Sequence, residues 1–327
     1  MRRSSTLTGL AIAVVAALAF GMSGPFIKPL LEAGWSPAAG VTVRSLVGGI
    51  ILAPIALYSL RGKWHTLWAA RTRILLIGLI GVAATQLAYF VAIALIPVST
   101  GILIEFMAPL LLVGYVWART RKTPKMVVFI GSILAIGGLF LVVSPGGGGG
   151  LNPLGLLFAA LAAVGCAIYF VAAADDSNRG EEAPPAVAVA SVSLLIGGGA
   201  LGLLSLTGLV PFTVTFGTIT LFGNDTPWWV PIAIVAVIAT GFSYAVSITA
   251  SQMLGARLAS FAGLLEVVAS TLYAWILLGE QMTLLQLFGG ALILVGIGFV
   301  RSEKVDEHVV HPEPEVPTAT SEVPIPA

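Results

Sequence analysis

The sequence predicts an all-α membrane protein of ten transmembrane helices, built as two inverted five-helix repeats. Three observations predict it. Of the 327 residues, 57% are hydrophobic and only 9% charged, with a mean hydropathy of +1.01, whereas a soluble domain carries about a quarter charged residues. Apolar runs near the roughly 20 residues that cross a bilayer recur along the chain, separated by short polar or Gly/Pro breaks. The second half of the chain also repeats the first.

The runs lie at about 8–26, 37–59, 74–94, 99–118, 126–144, 153–174, 185–208, 228–248, 258–279 and 284–301. The first follows Arg2 and Arg3, as a signal peptide would, but nine further runs follow and a first membrane span gives the same pattern. Residues 8–144 form one repeat of five spans. A glycine-rich linker, 145–152, joins it to a second repeat at 153–301, and a Pro- and Glu-rich stretch, 302–327, reads as a disordered cytoplasmic tail.

Threading these spans from a cytoplasmic N-terminus places Arg2, Arg3, Arg61, Lys63, Arg71, Arg73, Arg119, Arg121, Lys122 and Lys125 on one side and only Lys28 on the other. Cytoplasmic loops carry the excess of Lys and Arg, so both termini are expected in the cytoplasm of a cell whose inner membrane holds the chain.

The repeat is read from particular residues. Ala84-Thr85, Tyr89 and Val91 recur as Ala239-Thr240, Tyr244 and Val246, an offset of 155. Glu105 falls on Glu266, Gly131 and Gly137 on Gly290 and Gly296, and Gly9-Leu10 on Gly155-Leu156. A unit with an odd number of spans enters the membrane in opposite sense the second time. Inverted repeats of this kind are the architecture of secondary transporters, whose substrate site lies near the bilayer midplane between the halves.

Three charged residues fall well inside the spans: Arg44, Glu105 and Glu266. A charge at a helix centre costs about 2.5 to 3.5 kcal/mol on insertion scales, so such residues face the bundle interior or a water-filled cavity. A carboxylate out of water gives up its charge more readily. Glu105 or Glu266 is therefore a candidate for proton exchange or for holding a substrate ammonium, and the competing reading is a structural ion pair with Arg44. Pro109, four residues after Glu105, is expected to kink that span. Gln86, Tyr89, Tyr244, Ser243 and Ser247 are candidate cavity residues, since buried amides and phenols need partners; Ser and Thr also bond back to their own helices. Phe20 and Tyr169 are weaker candidates for aromatic walls. The glycine runs 131–138 and 289–298 are expected to be close helix contacts, within one chain or in a homodimer.

Enzyme readings fail on inventory. The three histidines, His65, His308 and His311, lie outside the spans, so Ser23 in Gly21-Met22-Ser23-Gly24 has no histidine base in the membrane. GGGGGLNPLG lacks the lysine and hydroxyl of a phosphate-binding loop, and Cys166 alone makes neither a disulfide nor a Cys cluster. No cofactor, metal site or nucleic-acid partner is expected at a net charge of +1; the expected partners are a small-molecule substrate and the lipid bilayer.

With ten helices in two similar halves, IPVSTGILIEFMAPLL, LLEVVASTLYAWILLGE and FGGALILVGIGFV, the chain resembles the EamA family of the drug/metabolite transporter superfamily, and EFMAP is similar to its threonine/homoserine-exporter branch. Many members of the family have proline directly after the repeat's glutamate. Here Glu105 precedes Phe106 and Glu266 precedes Val267, and Glu280, which ends the second copy of this helix, is matched by basic Arg119 in the first. The resemblance implies a secondary exporter of a small metabolite, amino acids being the leading class, with proton antiport. A carrier for cationic drugs, a passive facilitator or channel, and a membrane scaffold or sensor remain alternatives.

Overall fold

The computed structural model describes residues 2–121, 123–143, 151–174, 184–221 and 223–302. Most of the 145–152 linker, Lys122 and the 303–327 part of the expected tail lie outside the described residues.

The first half runs α1 (Arg2–Gly21), α2 (Ser23–Glu32), α3 (Pro37–Ser59), α4 (Trp64–Ala69), α5 (Arg71–Leu76), a π-helical segment (Ile77–Ala84), α6 (Thr85–Leu95), α7 (Val98–Glu105), α8 (Ala108–Thr120) and α9 (Met126–Val143). The second runs α10 (Pro153–Ala174), α11 (Ala186–Leu206), strands β1 (Thr218–Leu221) and β2 (Asn224–Pro227), α12 (Trp229–Ala233), a second π-helical segment (Ile234–Phe242), α13 (Ser243–Leu278) and α14 (Leu284–Ser302). Among the described residues six stretches are long and apolar enough to cross a membrane: Thr8–Glu32, Pro37–Ser59, Arg71–Leu95, Val98–Tyr115, Ala186–Leu206 and Trp229–Ser247. Four shorter apolar helices, Met126–Val142, Pro153–Tyr169, Leu264–Leu278 and Leu284–Val300, stand where the sequence places its remaining spans.

Packing relates the halves to each other. α3 lies along α11 and α9 along α14, each pair joining matching spans. The first π segment packs on α11 and the second on α3, while α1 packs on α13 and α10 on α7 and α8. Exchanging the halves turns each pairing into another, as a twofold axis between them requires.

The threonines that anchored the repeat do the same work twice. Thr85 Oγ1 donates to the Ile80 carbonyl at 2.8 Å, and Thr240 Oγ1 donates to the Val235 carbonyl at 2.8 Å. Both bonds reach back five residues, and each threonine closes or lies within a π segment. Carbonyls released by the wider π turn are thereby satisfied by side chains, which a bilayer core demands.

Three features differ from expectation. The helical fold carries a hairpin that the sequence reading omits: β1 and β2 pair antiparallel, with Leu221 opposite Asn224, across a two-residue connection whose Gly223 has φ +71°, as tight hairpins require. Trp35 donates its ring N–H to the Thr215 carbonyl at 2.9 Å, and Trp228 stacks on Trp35 and Phe216, so the loop carrying this hairpin closes over the α2–α3 turn. Helical backbone also runs through 249–257, where the sequence places the connection between its eighth and ninth spans, so α13 extends from Ser243 to Leu278. That stretch, SQMLGARLA, has no proline and many good helix formers. α1 follows both parts of α13, with Ala13 clustered with Ala250 and Gly21 against Ala269.

The glycine register also shifts by one. A Cβ on Gly131 would stand 2.6 Å from the Gly296 carbonyl oxygen, and a Cβ on Gly289 2.7 Å from that of Gly138. The contact glycines are therefore 131, 138, 289 and 296. Gly137 has open space around its Cβ direction. The contact lies within the chain, between α9 and α14, and backbones approach there as only small residues allow.

Candidate functional site

Two spans of the first half are broken, and the same chemistry breaks both. α1 ends at Gly21 and α2 restarts at Ser23; α7 ends at Glu105 and α8 restarts at Ala108. Pro25 and Pro109 stand four residues after the two terminal residues. A proline has no N–H to bond the carbonyl four residues back, and it is well accommodated in the first turn of a new helix. The expected kink at Pro109 is thus a stop and restart, with Phe106 N–H bonded to the Ile102 carbonyl and Met107 N–H turned to Ile104. At the positions matching Pro25 and Pro109 the second half has Val171 and Ser270, and α10 and α13 run through. Proline is not sufficient, since α3 carries Pro54 in its interior without breaking.

Arg44 sits at the meeting point of these elements, 5% exposed on α3. Its Nη1 donates to Ser23 Oγ at 2.6 Å and to Gln86 Oε1 at 2.9 Å, and its Nε donates to Thr240 Oγ1 at 3.2 Å. The guanidinium also lies over the Phe90 ring, 5.5 Å from its centroid. One side chain therefore ties the helix break at Met22, the residues after the first π segment and the second π segment. Hydrogen bonds from a charged donor contribute roughly 1.5 to 3 kcal/mol each, and a desolvated cation–π contact about 2 more. Together these offset an insertion cost of about 3 kcal/mol, so Arg44 does not need a carboxylate beside it. Among the described residues no ion pair joins Arg44 to Glu105, although Glu105 and Glu266 both lie within electrostatic range of it.

Glu105 is the last residue of α7 and 8% exposed. Among the described residues, no hydrogen bond or ion pair engages its carboxylate, although it lies within electrostatic range of Arg44. Tyr89, on α6, is 4% exposed, and its hydroxyl has no hydrogen-bond partner among the described residues. Its ring is admitted by two glycines. A Cβ on Gly24 would stand 2.5 Å from the hydroxyl and one on Gly101 3.6 Å from the ring. Gly24 belongs to the first turn of α2 and Gly101 lies one turn before Glu105, so Tyr89 spans both broken helices.

Glu266 is half-buried in the unbroken α13. It lies within electrostatic range of Arg44, Tyr89, Tyr169 and Tyr244. Phe20 and Tyr244 stack edge to face at 5.1 Å, joining α1 to α13. Tyr169 packs on the first π segment, where a Cβ on Gly81 would meet its ring at 2.7 Å. Ser243 is fully buried and donates to the Ala239 and Thr240 carbonyls. Ser247 is half-buried one turn further along.

Glu105, Arg44, Gln86, Tyr89, Tyr244 and Glu266 thus gather at the interface of the two halves, whereas Ser243 serves its own helix. Sequence reasoning set Ser23 aside with the protease motif; the signal was Ser-Gly-Pro in mid-span, which marks a restart. It also passed over Phe90, one residue beyond Tyr89. Among the described residues no group of three or more His, Cys, Asp or Glu side chains is placed to hold a metal ion.

A helical membrane bundle with two related halves and discontinuous helices around buried charges belongs to the structural class of transporters built from repeats. The model of the EamA-like transporter family matches the chain twice, at residues 7–144 and 153–302, and the chain belongs to that family. It is 24% identical over 300 residues to a Salmonella typhimurium (strain LT2) protein named "Uncharacterized inner membrane transporter YicL", covering 90% of this chain and 95% of that one. A protein of known crystal structure, 21% identical, matches with a TM-score of 0.56 over 91% of this chain and 96% of its own, which supports the fold.

Proposed function

We propose that this family member is an inner-membrane secondary carrier that exports a small metabolite by alternating access, its ten spans forming two inverted repeats with both termini cytoplasmic. Amino acids are the leading substrate class. The observation that carries the reading is Glu105: a buried carboxylate at the broken end of a helix, with no hydrogen bond or ion pair among the described residues. Discontinuous helices offer backbone groups and side chains to ligands at membrane depth. Glu105 holds the substrate ammonium in one state and a proton in the other, so that the two exchange across the membrane. Arg44 anchors the three elements around the site.

The test is counterflow in proteoliposomes. Preloaded amino acid is expected to accelerate uptake of labelled amino acid, with saturation, and Glu105→Gln is expected to abolish the dependence on a pH gradient. Non-saturating flux without counterflow would make the protein a channel. Exchange of cationic drugs in place of amino acids would keep the carrier and replace the substrate.

A further inference from the structure

At the far end of α7 from Glu105 stands a second polar cluster. Glu280, two residues past the end of α13, pairs with Lys28 of α2 at 3.0 Å. Its Oε1 also accepts from Val98 N–H at 2.8 Å, and its Oε2 from Ser99 N–H at 3.2 Å and Ser99 Oγ at 3.1 Å. Lys28 Nζ donates in addition to the Ile96 carbonyl at 3.3 Å. Lys28 thus satisfies the carboxyl end of the α6 span while Glu280 caps the amino end of α7, each with the charge that suits its helix terminus. Both side chains are nearly buried, 14% and 12% exposed, where such bonds weaken least by screening.

Glu280 alone comes from the second half. Lys28, Ile96, Val98 and Ser99 all belong to the first. A movement of one half against the other that opens this face must part Glu280 from Lys28, Val98 and Ser99. Among the described residues the opposite face shows no equivalent ion pair. The residue matching Glu280 is Arg119, and the start of the span matching α7 lies inside the unbroken α13, with no free amide terminus to cap.

Resting on the alternating-access reading, we infer that Lys28 and Glu280 form a latch that seals the face opposite the Arg-rich loops, and that α7 links this latch to the candidate site. α7 has eight residues, a rod of about 12 Å at 1.5 Å per residue, with the latch at one end and Glu105 at the other. A change at Glu105 that shifts α7 pulls on the Glu280 cap, and release of the cap frees α7 to move.

The first arm of the test, labelling, needs no substrate. In a Cys166→Ser background, Met22→Cys at the helix break is labelled in right-side-out vesicles with a membrane-impermeant thiol reagent, and thermal unfolding reports whether each variant is folded. Glu280→Gln and Lys28→Met are expected to raise the labelling rate from the latch side about tenfold. Joining Lys28→Cys to Glu280→Cys with a reducible bis-methanethiosulfonate cross-linker that spans the lost side chains, with Met22 restored, is expected to stop counterflow until reduced. Unchanged labelling in both folded single variants, or full counterflow through the cross-linked double variant, would overturn the latch. Rapid labelling of the reporter from both faces at once, in protein with the latch intact, would instead overturn alternating access.

Discussion

The two halves share one helical plan but differ in continuity. In the first, the spans holding Ser23 and Glu105 are interrupted; in the second, α10 and α13 run through the matching positions. The π segments, by contrast, are kept in both halves with the same threonine bond. Features common to both copies hold the bundle together. The feature present in one copy is the break, and the buried Glu105 carboxylate and the Arg44 cluster gather around it. The two repeats thus differ in what they offer: the second an unbroken wall, the first helix ends.

Several changes should break or sharpen that contrast. Arg44→Ala is expected to have the largest effect, about 3 kcal/mol or more, because it strands Gln86, Ser23 and Thr240 around a void; thermal unfolding in detergent measures it. Ser270→Pro, which copies the first-half break into α13, should cost about 3 kcal/mol by removing a helix bond, and a smaller loss than Arg44→Ala is expected if α13 can restart as α8 does. Gly138→Ala and Gly296→Ala should each cost roughly 1 to 3 kcal/mol by forcing α9 and α14 apart. Gly137→Ala, one residue away in open space, should be neutral or stabilise by up to about 1 kcal/mol. Pro109→Ala should change stability least while lowering counterflow, because α7 and α8 could then fuse into one helix.

How much of this was legible depended on whether a residue's neighbours were local. The repeat, the spans and the buried charges follow from periodicity and composition, and the Thr85/Thr240 alignment proved exact to the bond. The glycine register slipped because Gly137-Gly138 and Gly289-Gly290 are doublets, and the sequence does not say which member faces the partner. Pro109 was read as a kink because loss of one bond predicts only a bend; the restart at Ala108 depends on where α7 is held. Lys28 and Glu280 were seen singly, as a lone basic residue and a mismatch between copies. They lie 252 residues apart, and charges at span ends cost little, so nothing local marks them as a pair. The hairpin was missed although Thr218 to Leu221 alternates in polarity before Gly223-Asn224-Asp225, a turn signal outweighed by the membrane pattern around it.

The most direct measurement compares the pH dependence of amino-acid counterflow in the native protein, Glu105→Gln and Glu266→Gln, all shown to be folded. The central claim is that the carboxylate at the helix break, and not its twin in the unbroken helix, exchanges the proton. Loss of pH dependence in Glu105→Gln, with Glu266→Gln retaining it, is the predicted result. Retention in Glu105→Gln, or equal loss in both, would contradict it.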